Sequence, residues 1–474
     1  MANLIVEKCG WNIEAITNTL SLILQALASG FVEKRQVETC PVKELFICEN
    51  DKCILSLSRD DIRNILATFK DMLDSALDRV LKDLSIDNVL NLVQTLYDLS
   101  IEGISTILDS KLRNLTGPPG VIAQINETLA SMLYADLQYE QASQRFRQAA
   151  EYYKQAGQID RALFTEAFSN VAMAEKLKEE ASRLHEENKH TEEEELIKQA
   201  SKLYAESSTL FRKCSATIPE ALINAILSKC DAYEVLANYY FTHGLVDEAE
   251  KYYNLCVSEL RLEYIGLSEE HRRIVELKER TCRAFLKLCR AIIEQKMELY
   301  EEAGDEFREL VKERYVEDVM VELAAIAYKG ALDLANTLDD ILRIYPKYIE
   351  LVSLYTDRVV QEKYGSFDNF IRELKVRPLA SISKDVRIDE YALKMYIAFK
   401  MLSNIVKEMG LDTVIVLELL TLVAGLGLDP LTTSGVELRM EVSRSNIEVN
   451  KEKLDLMCKI LDEYHKRVME ILFS

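Results

Sequence analysis

The groups in this 474-residue chain that could do chemistry are five histidines, ten cysteines and an excess of carboxylates, and their spacing restricts what they can do. The histidines are scattered. His185 and His190 fall either side of a helix junction amid Glu186, Glu187 and Glu192, where a surface metal site is conceivable. Exposed histidine among glutamates is ordinarily just solvated, so no metal site is expected. Cys458 and His465 stand a full heptad apart, too far for a nucleophile and its base on one helix. No phosphate-cradling glycine loop, nucleophile elbow or paired-histidine motif occurs. Carboxylate pairs abound on so acidic a chain, and none stands out as a general acid and base. The expectation is no catalytic residue, no cofactor and no enzyme.

The cysteines include no C-x-x-C pair, which argues against a zinc ribbon or a thioredoxin-type site. Cys214, Cys230, Cys256, Cys282 and Cys289 fall in helical pattern and read as core residues. Cys48 and Cys53 differ, because they flank Glu49, Asn50, Asp51 and Lys52, a hairpin loop between strands at 44–47 and 54–57. Facing each other across two strands, they form either a disulfide or two packed thiols. A bridge there suits an intracellular thermophile protein, with which the Lys/Glu/Tyr-rich composition is compatible.

The most specific polar feature is the stretch from His271 to Arg290. In helical register Arg280, Arg283, Lys287 and Arg290 form one basic stripe, while Ile274, Leu277, Phe285 and Leu288 face the interior. Guanidinium forks in such a stripe could clasp the carboxylates of a partner's acidic segment or the phosphates of RNA. The alternative is that they neutralise nearby acidic helices such as the one carrying Glu298, Glu301 and Glu302. A net charge of −21 and a pI near 4.9 disfavour non-specific nucleic-acid binding.

Only 15 glycines and 7 prolines punctuate the chain, which favours long helices over a turn-dense sheet protein. The one Pro/Gly cluster, residues 116–120, marks a boundary. Three parts are expected: an N-terminal helical unit with the β-hairpin (1–115), a helical-repeat region (121–305) and a C-terminal helical unit (306–474). In the first part, Ser58 is placed to cap a helix with Asp61 three residues on. In the last, Pro346 should break a helical run, and the alternation of Val436, Leu438, Met440 and Val442 with Glu437, Arg439 and Glu441 predicts a short strand. A winged-helix-like module there is a further reading. The final helix carries Ile447, Asn450, Leu454, Met457, Leu461, Tyr464, Val468 and Ile471 at three- and four-residue steps. A homodimeric coiled coil could use the seam 447–471, with Asn450 setting register, but an intramolecular bundle helix is favoured.

The repeat region holds a recurring signature. Tyr233, Leu236, Ala237 and Tyr240 line one helical face, Gly244 and Leu245 turn the chain, and Ala249, Tyr253 and Val257 line the answering face. A second copy reads Leu129, Ala130 and Leu133, then Ala142, Phe146 and Ala149. A partial third reads Ala149, Ala150 and Tyr153, Gly157, then Ala162, with Glu166 where an aromatic is expected. The pattern resembles the tetratricopeptide repeat over roughly residues 120–305. Because one helix closes a pair and opens the next, it is similar to the soluble NSF attachment protein group. The resemblance implies an α-solenoid of tetratricopeptide-like hairpins that binds a partner, with the fold class mainly α.

The expected function is a non-catalytic scaffold or adaptor that holds a protein or peptide on a helical groove. Asn238, Tyr239 and Tyr252 would line the groove and Arg280, Arg283, Lys287 and Arg290 would edge it. Tyr239 and Tyr252 could equally pack on the adjacent repeat. The first alternative is an RNA- or ribosome-associated factor using the basic helix 271–290, and the second an enzyme with its site in a flanking part. Leu20 to Ala28 is apolar, but the basic start before it is only Lys8 and Thr17, Asn18 and Thr19 interrupt the run, so a signal peptide is not expected; Leu411 to Leu428 contains Asp412 and Glu418, so no membrane insertion and a cytoplasmic location are expected.

Overall fold

With so few breakers, most backbone polar groups find their partners inside helices, and the computed structural model is mainly α: an α-solenoid with one small β-sheet near the N-terminus. It describes residues 1–101, 103–113, 115–262, 267–312, 318–386, 390–445 and 449–472. The chain divides into two units, Met1–Tyr239 with Ser258–Val275, and Tyr240–Val257 with Glu276–Ser474.

In the first unit the helices Pro119–Ala135, Tyr139–Gln155, Ile159–Glu186 and His190–Cys214 pack each on the next. One turn geometry joins them. The second residue past each helix end adopts a left-handed conformation: Leu137 (φ 59°), Gly157 (φ 74°) and Asn188 (φ 58°). The following amide then reaches back five residues, from Gln138 to the Leu133 carbonyl (2.8 Å), from Gln158 to Tyr153 (2.9 Å) and from Lys189 to Leu184 (2.9 Å). This is the six-residue closure of a Schellman motif. Four residues later the new helix is already bonded, through the amides of Ala142, Ala162 and Glu193. In the second unit the same closure recurs at Gly244 (φ 71°), with Leu245 bonded to Tyr240 and Ala249 opening the next helix.

The residue at this opening position faces the interior. Ala142, Ala162 and Ala249 are fully buried, as is Ala237. Phe146 and Tyr253, one helical turn on, are buried too, and Tyr253 stacks on Phe285 with centroids 5.0 Å apart. The Leu184–Glu193 turn is a further copy that the residue pattern does not show, because Glu193 stands where its siblings carry alanine.

A hydrophobic cluster runs from Ile5 through Leu77, Leu92 and Leu108 to Leu129, Phe146 and Ala172. Residues 116–118 interrupt the helices, Pro119 opens the next one, and this core continues past them. Buried Arg145 joins the two sides. Its Nε donates to the Asp109 carboxylate (2.7 Å), Nη2 to the Asp109 carbonyl (2.7 Å), and Nη1 to the Leu112 carbonyl (3.1 Å) and Asn126 Oδ1 (2.9 Å). A guanidinium this enclosed is tolerable only because its donors are so matched.

The expected hairpin is present with shifted edges. Phe46–Glu49 pairs antiparallel with Lys52–Leu55 around the Asn50-Asp51 turn, where Asn50 takes φ 55°. Val32–Glu33 adds a third strand that the alternation was too short to reveal. Cys48 and Cys53 are direct register partners, 4.0 Å apart at Cα, and are joined by a disulfide. Ser58 caps the next helix by accepting from the Asp61 amide.

In the second unit, Met297–Lys312 packs on Asp318–Asp333, and that helix on Leu338–Tyr364. The first pair interlocks reciprocally. A Cβ on Gly304 would lie 2.7 Å from the Tyr328 ring, and one on Gly330 would lie 2.5 Å from Tyr300, so each tyrosine fills the space beside the other helix's glycine. Two expectations fail here. Pro346 lies inside Leu338–Tyr364 without ending it, because buried Ile344, Tyr345, Tyr348 and Ile349 on both sides offset a proline cost of about 3 kcal/mol. Residues 436–442 form no strand, and no winged-helix-like module is built on one, because they lie in the helix Gly435–Arg444. Ser434 and Glu437 make a capping box, and Leu438 and Val442, four residues apart, are its buried side. Both patterns fit the same residues, and the cap together with burial against Lys451–Leu472 decides between them.

That final helix buries Met457, Leu461, Tyr464 and Val468 in the core of its own unit, and exposed Asn450 caps its start. The seam thus packs within the chain. Ile447 and Asp389, at the expected starts of two helices, lie outside the described residues, as does the Ile471 side chain. Among the described residues no helix is long and apolar enough to cross a membrane.

If the left-handed closure holds the stack, Gly157→Ala should lower stability by about 1 kcal/mol from backbone conformation alone, since nothing lies within 4 Å of the added Cβ. Leu137→Gly should not destabilise. Thermal melts of the two variants beside wild type check both signs.

Candidate functional site

The basic stripe lies on the helix Glu269–Glu294 and faces carboxylates of its own unit. Arg283 meets Glu279 and Glu306, each at 3.5 Å. Lys287 meets Glu302 at 3.1 Å and Glu306 at 3.3 Å, and Arg290 Nε reaches Glu250 at 2.9 Å. Arg280 is half-buried. The structure therefore brings the stripe together as one row of cations, with Arg283, Lys287 and Arg290 matched by acids inside the chain.

The tyrosines are placed differently. Tyr239 is buried, and its hydroxyl donates to the His190 carbonyl at 3.4 Å. Tyr252 stacks on Tyr240, with centroids 5.7 Å apart and planes 12° from parallel, and Lys251 sits over its ring at 5.6 Å. Asn238 is exposed. Asn238 and Tyr239 belong to the first unit, and Tyr252 with the stripe to the second.

An open groove that the sequence pattern misses lies in the first unit. It is a cleft of about 660 Å³ built by four segments of the unit. Gln94, Tyr97 and Asp98 come from Ile86–Asp98, and Gln124, Glu127, Thr128 and Ser131 from Pro119–Ala135. Tyr153 and, across the Gly157 turn, Gln158 and Arg161 complete it. Glu127 organises the floor: it accepts from the Tyr153 hydroxyl at 2.5 Å and from Arg161 Nη2 at 2.6 Å. Burial, then the Glu127 charge, raises the Tyr153 hydroxyl far above an ordinary phenol, so it stays a donor. The rim presents amides, hydroxyls and a 44%-exposed Tyr97. Such a lining can bond an extended backbone and stack on a side chain, and of its charged groups Glu127 and Arg161 pair with each other, which leaves the Asp98 carboxylate. Its residues come from both sides of the 116–120 segment, and single-helix periodicity carries no sign of that juxtaposition.

Acid/base groups converge at the Leu184–Glu193 turn. The Glu193 carboxylate, 7% exposed, lies 3.2 Å from His185 Nδ1 and 3.4 Å from His190 Nδ1. The two imidazoles are half-exposed, with ring centroids 6.0 Å apart. The residue pattern marks both histidines with glutamates beside them, but it carries no sign that Glu193 is buried. Elsewhere Cys214, Cys282 and Cys289 are fully buried thiols, as helical pattern suggests, and burial pushes the Cys289 thiol up to about 12; Cys230 and Cys256 are buried too, but are disulfide-bonded, which the pattern does not reveal.

No protein-family model matches the sequence, and comparison with curated proteins also finds no match.

If the stripe is matched internally, Lys287→Glu and Glu306→Lys should each destabilise slightly. The double variant should recover a coupling of about 0.2–1 kcal/mol, as for other partly exposed pairs. A double-mutant cycle in low salt reads it directly.

Proposed function

We propose that this chain is a non-catalytic helical-repeat scaffold, similar to tetratricopeptide-type proteins, that holds an extended peptide segment of a partner protein in the cleft of its first unit. The observation that carries this reading is the cleft between Tyr97 and Arg161, where two helices packed side by side present Gln94, Gln124, Thr128 and Ser131 around a floor held by Glu127. A surface of amides and hydroxyls with an aromatic at the rim suits backbone hydrogen bonding, with Tyr97 as the anchoring contact. An acidic partner segment was the expectation from the basic stripe. The intrachain pairing of Arg283, Lys287 and Arg290 moves the weight to a peptide read by neutral hydrogen bonds. The same pairing leaves no specific observation that favours RNA.

Affinity capture with the full chain should recover a protein partner. Tyr97→Ala combined with Gln124→Ala should weaken that interaction roughly tenfold while leaving the melting temperature unchanged. Binding should change little between low and moderate salt. Retention of the same partner by the double variant would overturn the reading, as would a steep salt dependence of the kind phosphate contacts produce.

A further inference from the structure

We propose that His185, His190 and Glu193 form a binding site for a divalent transition-metal ion of the zinc type, independent of the peptide cleft. The starting point is the repeat frame. At the position four residues past each left-handed closure, Ala142, Ala162 and Ala249 are fully buried, and the same position in the Leu184–Glu193 copy holds a glutamate. A carboxylate in a place built for a methyl group is unfavourable unless it is matched by positive charge or a metal. Its surroundings supply a ligand set. His185 stands in the last turn of Ile159–Glu186 and His190 opens His190–Cys214, and the left-handed Asn188 between them turns both imidazoles toward Glu193.

The distances admit two kinds of contact, a long hydrogen bond and a pair of ligands to one ion. A charge-assisted hydrogen bond from imidazolium to carboxylate runs about 2.7–2.9 Å. The nitrogen–oxygen separations here are 3.2 and 3.4 Å. Ligand atoms around a tetrahedral ion with bonds of about 2.0–2.1 Å lie roughly 3.3 Å apart, which these values bracket. The ligand atoms of all three residues lie within 4.8 Å of one another. Two imidazoles with one carboxylate and no thiolate suit zinc and its neighbours, cobalt and nickel, over magnesium or calcium, which take oxygen donors. The Tyr239 hydroxyl, donating to the His190 carbonyl, fixes the backbone that carries one ligand. The site contributes at least three ligands and joins the end of one long helix to the start of the next.

The test uses the full chain, stripped with a chelator and titrated with Zn²⁺ calorimetrically and with Co²⁺ spectroscopically. Expected are a Zn²⁺-dependent rise in melting temperature and a Co²⁺ spectrum without the thiolate charge-transfer band that cysteine ligation gives. His185→Ala and His190→Ala should each weaken Zn²⁺ binding at least about tenfold. Glu193→Ala restores the residue its sibling turns carry. It should fold at least as stably as metal-free wild type and lose the Zn²⁺-dependent stabilisation. Failure of wild type to bind Zn²⁺, equal binding by the His185→Ala/His190→Ala double variant, or a thiolate band would overturn the proposal. So would a Glu193→Ala variant that melts lower without metal yet keeps its Zn²⁺ affinity, which would make Glu193 a hydrogen-bond acceptor only.

Discussion

The stack depends on one backbone constraint: a helix must end, reverse and restart within a few residues while leaving its neighbour close. A left-handed residue after the helix end lets the next amide cap a carbonyl five residues back, so the terminus is satisfied without a longer loop. Because the new helix is bonded four residues later, its first inward-facing position arrives at a fixed place against the previous helix. A methyl group fits there, as at Ala142, Ala162 and Ala249. The geometry is stronger than the residue preference, since Leu137 and Asn188 adopt it alongside Gly157 and Gly244.

From that constraint follow both the regularity of the stack and its departures. Aromatic side chains one turn beyond the small position fill the remaining space, as Tyr253 does against Phe285, and the tyrosine-for-glycine exchange at Gly304 and Gly330 solves the same packing problem in reverse. Polar exceptions stand out against such a background. Arg145 is buried but fully engaged with Asp109, Leu112 and Asn126, and it serves the packing of the repeat helices on the N-terminal part. Glu193 is buried with two exposed imidazoles as its neighbours, which is an arrangement open to a ligand.

The two surfaces of interest differ in how they arise. The basic stripe is a property of one helix and so can be read from a single stretch of residues, yet Glu250, Glu302 and Glu306 from other segments decide its electrostatic state. The cleft beside Tyr97 exists only because Ile86–Asp98 lies against Pro119–Ala135. Its amides and hydroxyls are unremarkable one by one, and their convergence gives them a use.

What the sequence by itself determined was local: the helical periods, the Ser58 cap, the Asn50-Asp51 turn that sets Cys48 opposite Cys53, and the repeat signature at 133–142, 153–162 and 240–249. Each depends on side chains within about two helical turns, where spacing translates directly into shared faces. Tertiary structure decided the rest. It carried the helix through Pro346, folded 435–444 as helix where alternation also allowed a strand, and buried Glu193 at a position whose identity only the turn geometry reveals. The physical reason is the same in each case: burial against a distant segment changes the free energy by several kilocalories, about as much as local preference or more, and no window of sequence contains both partners.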